Sequence, residues 1–144
     1  MSMNKRLARL GAAVSFAILV PGMAAADIEG TMAAGVDGQE ICIIGNTYVD
    51  QDFRDAFERR IRAKGYATRI VAAKSDCLIT TDYGASFRSN GWGRYLYAAL
   101  FQVYRNGEQI ALARYKGSRH GFNGKVEDVI GKMVDVLLPG SNAK

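Results

Sequence analysis

Apolar positions along the chain follow three spacings. They dominate the stretch from Leu10 to Val20, interrupted only by Gly11 and Ser15, they recur every four residues at Phe53, Phe57 and Ile61, and elsewhere they come in short runs broken by Gly, Asn or charge. The four-residue recurrence, with Ala56 beside it, predicts a helix over 50–64 that buries this stripe. Thr47 or Asp50 can cap that helix, and Gly65 can close it in the left-handed conformation. A second helix is predicted over 125–138, with Val126, Val129, Ile130, Met133 and Leu137 as its stripe. Asn123 caps it and Pro139-Gly140 ends it. The run Ile41-Cys42-Ile43-Ile44, bounded by a turn signal, predicts a buried strand within 40–45. Further strands are expected over 68–72, 77–87, 96–105 and 109–116, which are rich in Ile, Thr, Tyr and Val. Ser89-Asn90-Gly91-Trp92-Gly93 reads as a loop or bulge.

Asn106-Gly107 is the strongest local signal. Both central positions of a type I′ turn need positive φ, which Asn-Gly adopts at least cost. A two-residue turn there pairs Arg105 with Glu108, Val103 with Ile110 and Phe101 with Leu112. Phe101, Val103, Ile110 and Leu112 then share the candidate core face. The expected fold class is α+β, a single β-α-β-β-β-α domain with a mostly antiparallel sheet and two helices packed on one face. Its strand–helix–strand crossover is right-handed if the two strands are parallel.

Ahead of this domain, Lys5, Arg6 and Arg9 precede the 11-residue apolar stretch from Leu10 to Val20, and Ala24-Ala25-Ala26 follows it. That succession predicts a secretory signal peptide over 1–26, cleaved after Ala26. The stretch is too short to cross roughly 30 Å of hydrocarbon as a helix, so stable membrane insertion after cleavage is not expected. The expected organisation is the signal (1–26), a flexible Gly-rich arm (27–39), the α/β domain (40–138) and a flexible tail (139–144), exported to the periplasm. Three of the 19 basic residues and none of the 14 acidic ones lie in the signal, so the mature chain carries 16 against 14, a net +2. That mild balance gives no argument for nucleic acid.

Cys42 and Cys77 are the only cysteines. An even count in an exported chain predicts a disulfide between them. Two cysteines 35 positions apart, in a chain with one histidine, do not make a zinc site, and no metal or cofactor is expected.

His120 lies in Gly117-Ser118-Arg119-His120-Gly121. With Ser118 or Ser86 it offers the one nucleophile–base reading, a small hydrolase, set against a solvated loop histidine. Arg54, Arg59, Arg60, Arg62 and Lys64 look like a basic patch and read as an exposed helix face. Asp55 with Arg59 and Glu58 with Arg62 are expected pairs on that face.

The cluster that stands out is aromatic and basic. Phe87, Arg88, Trp92, Arg94 and Tyr95 precede or open one hairpin strand. Tyr115, Lys116, Arg119, His120 and Phe122 end the other. The Asn-Gly register brings both groups to one end of the hairpin. Trp92, Arg94, Arg119 and Phe122 are the candidate binding residues, because aromatic and Arg side chains on loops are common interface anchors. The competing expectation is that Trp92 and the tyrosines plug the end of a small core.

In element order and address, residues 40–138 resemble the small βαβββα modules of Gram-negative envelope proteins, such as the amino-terminal domain of TolB and the periplasmic part of the curli secretion lipoprotein family. The chain is also similar to a set of short exported proteins. They share a Cys before a strand (Cys77), a Trp–aromatic segment (Trp92-Gly93-Arg94-Tyr95), a strand ending in Val103-Tyr104-Arg105-Asn106-Gly107, and a closing Leu137-Leu138-Pro139. The resemblance implies no reaction. Many such proteins carry a lipid anchor, for which this chain lacks the cysteine. The expectation is a non-enzymatic periplasmic binding or accessory protein that docks a protein or cell-envelope component. An inhibitor or immunity protein with one dedicated enzyme partner is the alternative.

Overall fold

The four-residue helical stripes and the short apolar runs bury one another in two layers. The computed structural model describes residues 28–91, 93–117 and 125–140. In chain order they form β1 (Ile28–Thr31), β2 (Ile41–Ile44), α1 (Gln51–Ala63), β3 (Thr68–Val71), a 3₁₀ turn (Lys74–Asp76), β4 (Ile79–Asn90), β5 (Gly93–Arg105), β6 (Glu108–Lys116) and α2 (Val126–Leu137). The six strands make one sheet in the order β1-β6-β5-β4-β2-β3. β2 runs parallel to both β3 and β4. The β1–β6, β6–β5 and β5–β4 pairs are antiparallel. The class is α+β, as expected, and the element order is corrected to β-β-α-β-β-β-β-α.

Both helices contribute to the core against one sheet face. Phe53, Phe57 and Ile61 of α1 and Val129, Ile130, Met133 and Leu137 of α2 are buried together with Ile41, Ile43, Ile79, Tyr83, Phe101 and Val103. Phe57 stacks on Phe101 with ring centroids 4.0 Å apart. Gly65 follows α1 at φ 102, as the closing residue should. Asp50 holds the N-cap position but makes no cap bond with its side chain, because the carboxylate is engaged by Arg94.

The arm expected over 27–39 is also corrected. Ile28–Thr31 pairs with β6 as an edge strand. Beyond it Ala33 and Val36 are buried, and the Ala33 N–H donates to the Leu137 carbonyl at 2.8 Å. Gly30 allows this pairing, since a Cβ there would lie 2.1 Å from the Leu112 carbonyl oxygen.

The Asn106-Gly107 turn has the expected positive φ values, 52° and 83°, and Arg105 pairs with Glu108. Past the turn the expected register is corrected. Val103 faces Ala111 rather than Ile110, and Phe101 faces Ala113 rather than Leu112. A bulge that leaves Ile110 unpaired causes the shift. It puts the small Ala111 and Ala113 into the core under α2, leaves Ile110 half-buried against the edge of that core, and turns the half-buried Leu112 to the other face.

Cys42 and Cys77 are disulfide-bonded, with Cα atoms 6.3 Å apart. The bond ties β2 to the segment that leads into β4. Closing a loop of this length contributes about 3–4 kcal/mol in the chain-entropy picture.

Candidate binding surface

β2 and β4 differ greatly in length, and that mismatch builds the site. β2 stops at Ile44 and pairs only with Ile79, Thr80 and Thr81 of β4. β4 continues to Asn90, paired with β5 across a register shift between Ser86 and Phe87 that passes over Tyr97. Residues 82–90 therefore extend past their neighbour on the β2 side.

Asn46 closes the first position of that edge. Its side-chain Nδ2 donates to the Tyr83 carbonyl at 2.9 Å, and its backbone N–H donates to the Tyr83 hydroxyl at 3.0 Å. Its Oδ1 accepts from the Tyr48 N–H at 2.9 Å, which holds the loop in place. The Tyr83 carbonyl thus points away from β5. Strand alternation directs the N–H and C=O of Ala85 and Phe87 the same way. Beyond Tyr83 this edge has no strand partner among the described residues.

Two shallow hollows flank the loop where β2 ends. The one on the helix side is lined by Asn46, Asp50, Arg54 and Tyr83. The other, on the opposite sheet face, is lined by Tyr48, Asp82, Gly84, Leu100 and Gln102. Tyr48 is 96% exposed. Arg88 lies with its guanidinium 3.6 Å from the Tyr97 ring centroid.

Of the candidate binding residues, Arg94 is placed at the start of β5. Its guanidinium donates to Asp50 Oδ2 at 3.0 Å and lies 4.1 Å from the Phe87 ring centroid. Trp92, Arg119 and Phe122 lie outside the described residues, as do His120 and Ser118. The flanking chain positions are fixed, however. Ala98 pairs with Lys116, and the Gly117 N–H donates to the Tyr97 carbonyl at 2.7 Å. Tyr115 is buried, 5% exposed, and belongs to the core. Asn46 and Gly84 were not singled out from sequence. An isolated glycine inside a strand-like run is the one signal that points to Gly84.

The basic face of α1 is occupied within the chain. Arg59 bonds Glu127 at 3.1 Å, Arg60 bonds Asp128 at 3.5 Å, and Lys64 bonds Asp135 at 3.1 Å. The Arg59 guanidinium, hydrogen-bonded to Glu127, holds that carboxyl below its ordinary range. Glu58 pairs with Arg62 as expected, whereas Arg59 reaches α2 rather than Asp55. Glu40, Cys42 and Cys77 bring three ligand-type atoms together, but the two sulfurs are bonded to each other and Arg69 holds the carboxylate. Among the described residues, no helix is long and apolar enough to cross a membrane.

No family model and no curated protein matches the chain, and nothing in these comparisons supports the likeness to the TolB and curli-secretion modules. Among solved structures, a PDZ domain protein from Parabacteroides distasonis ATCC 8503 aligns with 75% of this chain at 8% identity and a TM-score of 0.43. The match spans 33% of that protein's chain.

Proposed function

We propose that this is a non-enzymatic binding or accessory protein of the cell envelope, exported by its N-terminal signal, which docks a protein through the β4–β5 end of its sheet. The observation that carries this reading is the stretch of β4 past Thr81 that has no strand neighbour on one side among the described residues. An unpaired strand edge is a template for another chain. Arg94 belongs to this docking surface, and the reading assigns Trp92, Arg119 and Phe122 to it from their positions in the sequence next to β4, β5 and β6. The disulfide suits an oxidising compartment, which supports export.

Site-directed photocrosslinking in cells tests the reading. A crosslinker at Ser89 captures the partner, whereas one at Glu108, at the other end of the same hairpin, does not. Trp92→Ala then weakens capture by about 2 kcal/mol or more, while stability to denaturant changes by less than about 0.5 kcal/mol. Equal capture at both positions, or a stability loss of about 3–5 kcal/mol, would remove the docking role from this end or from Trp92, respectively.

A further inference from the structure

Building on this docking surface, we propose that the seat beside β4 takes an extended, acidic segment of a partner polypeptide, added as a further strand in the lane that β2 leaves at Ile44.

The exposed groups select a peptide. Outward-facing residues of a strand repeat at about 6.6 Å, twice the rise per residue, and each offers one donor and one acceptor. A second polypeptide in extended form matches that row along its length, as in strand addition to other sheet edges. A headgroup phosphate or a sugar does not.

The edge is also built to be approached. Gly84, Ala85 and Ser86 place no bulky side chain along it. A Cβ added at Gly84 would meet nothing within 4 Å, and Gly84 is absent from the positive-φ glycines. Neither packing nor backbone conformation requires glycine there. What it does is leave room for another chain. Side chains of an added strand alternate between the two sheet faces, and a hollow lies on each. In the helix-side hollow, the Arg54 guanidinium bonds Asp55 through one terminal nitrogen, and its buried Nε has no hydrogen-bond partner among the described residues.

Charge decides which peptide fits. Arg94 stands at the start of β5 and Arg54 lines the helix-side hollow, while the acidic groups near the edge are already engaged, Asp50 by Arg94 and Asp82 by the Tyr104 hydroxyl. Arg88 is exposed on the edge-forming stretch itself. Pairing the β4 edges of two copies would set this basic stretch against itself, and the chain's own N-terminal segment, with Lys5, Arg6 and Arg9, is likewise basic. An acidic segment meets no such repulsion.

The test uses the mature protein and two fluorescein-labelled octapeptides, one alternating Glu with Thr and one alternating Lys with Thr. Anisotropy gives affinity and amide NMR gives location. The Glu peptide binds about tenfold or more tighter than the Lys peptide, with amide shifts at Ala85, Phe87 and Ser89. Ala85→Pro removes an edge donor and abolishes binding while the β4–β5 pairing persists. Arg88→Glu, on the exposed surface, weakens the Glu peptide by about tenfold and keeps the test decisive if the proline variant fails to fold. Equal affinity of both peptides at this edge would discard the acidic preference and leave the docking surface standing. Binding of neither there would discard both. Edge shifts that grow with protein concentration alone would make a second copy the occupant. Competition by phosphatidylglycerol vesicles at matched charge concentration would replace the peptide seat with a lipid-facing basic surface.

Discussion

Tyr104 sits on the sheet face opposite the helices, 6% exposed, with its hydroxyl donating to the Asp82 carboxylate at 2.8 Å and the Lys74 ammonium 3.9 Å from its ring centroid. Burial first, then the bond to Asp82 and that residue's charge, push the Tyr104 hydroxyl up to about 12. The fold favours the neutral phenol. Its contribution to stability is therefore present below the unfolded value of about 10 and is lost as pH rises from there towards about 12. The denaturant midpoint should fall across that window, and Tyr104→Phe should flatten the fall. Tyr66, also raised by burial, would account for what remains. An identical alkaline slope in the variant would contradict the assignment. Asp82 is thereby occupied at the near end of the open edge. Such partnerships were not legible in the sequence, because they depend on which residues the sheet places side by side. The disulfide was legible, since cysteine count and compartment alone predict it.

The β5–β6 hairpin shows where legibility stops at the scale of an element. Two residues fix the turn, and Asn106-Gly107 forms it as expected. Gly107→Val forces a β-branched residue to φ near 83°, at a cost of about 1–2 kcal/mol. Urea denaturation measures this, and a loss below about 0.5 kcal/mol would contradict the turn assignment. The register beyond the turn follows instead from the bulge at Ile110, which sets Ala111 and Ala113 under α2. Nothing within the hairpin sequence encodes that demand, because it comes from a helix downstream. β1 escaped for a related reason. Its run Ile-Glu-Gly-Thr is short and has no apolar alternation, and it is a strand because β6 offers an edge and Gly30 fits against the Leu112 carbonyl. The helices were legible to within a residue or two, since their apolar stripes are local.

For the whole molecule, layering follows from stripes and runs that can be buried only against one another, and so the fold class was readable. The basic face of α1 turns out to serve the two-helix layer, with its ion pairs to α2 largely solvent-exposed and individually worth about 0–1 kcal/mol. Of the aromatic-basic cluster, Arg94 and Phe87 are in contact where β5 begins, and Trp92, Arg119 and Phe122 lie outside the described residues. The open edge was not legible, because it arises from the length difference between β2 and β4 and from the point at which the loop after Ile44 turns aside. Backbone amide exchange along β4, in the free mature protein and with the Glu-Thr octapeptide, tests that edge most directly. The Gly84 and Ser86 amides, directed to β5, should exchange slowly in both states. The Ala85 and Phe87 amides should exchange quickly in the free protein and become protected when the peptide binds. Uniformly slow exchange along β4 in the free protein would mean that the edge is already covered, and Ala85 and Phe87 amides that stay unprotected under saturating peptide would mean that no strand is added there.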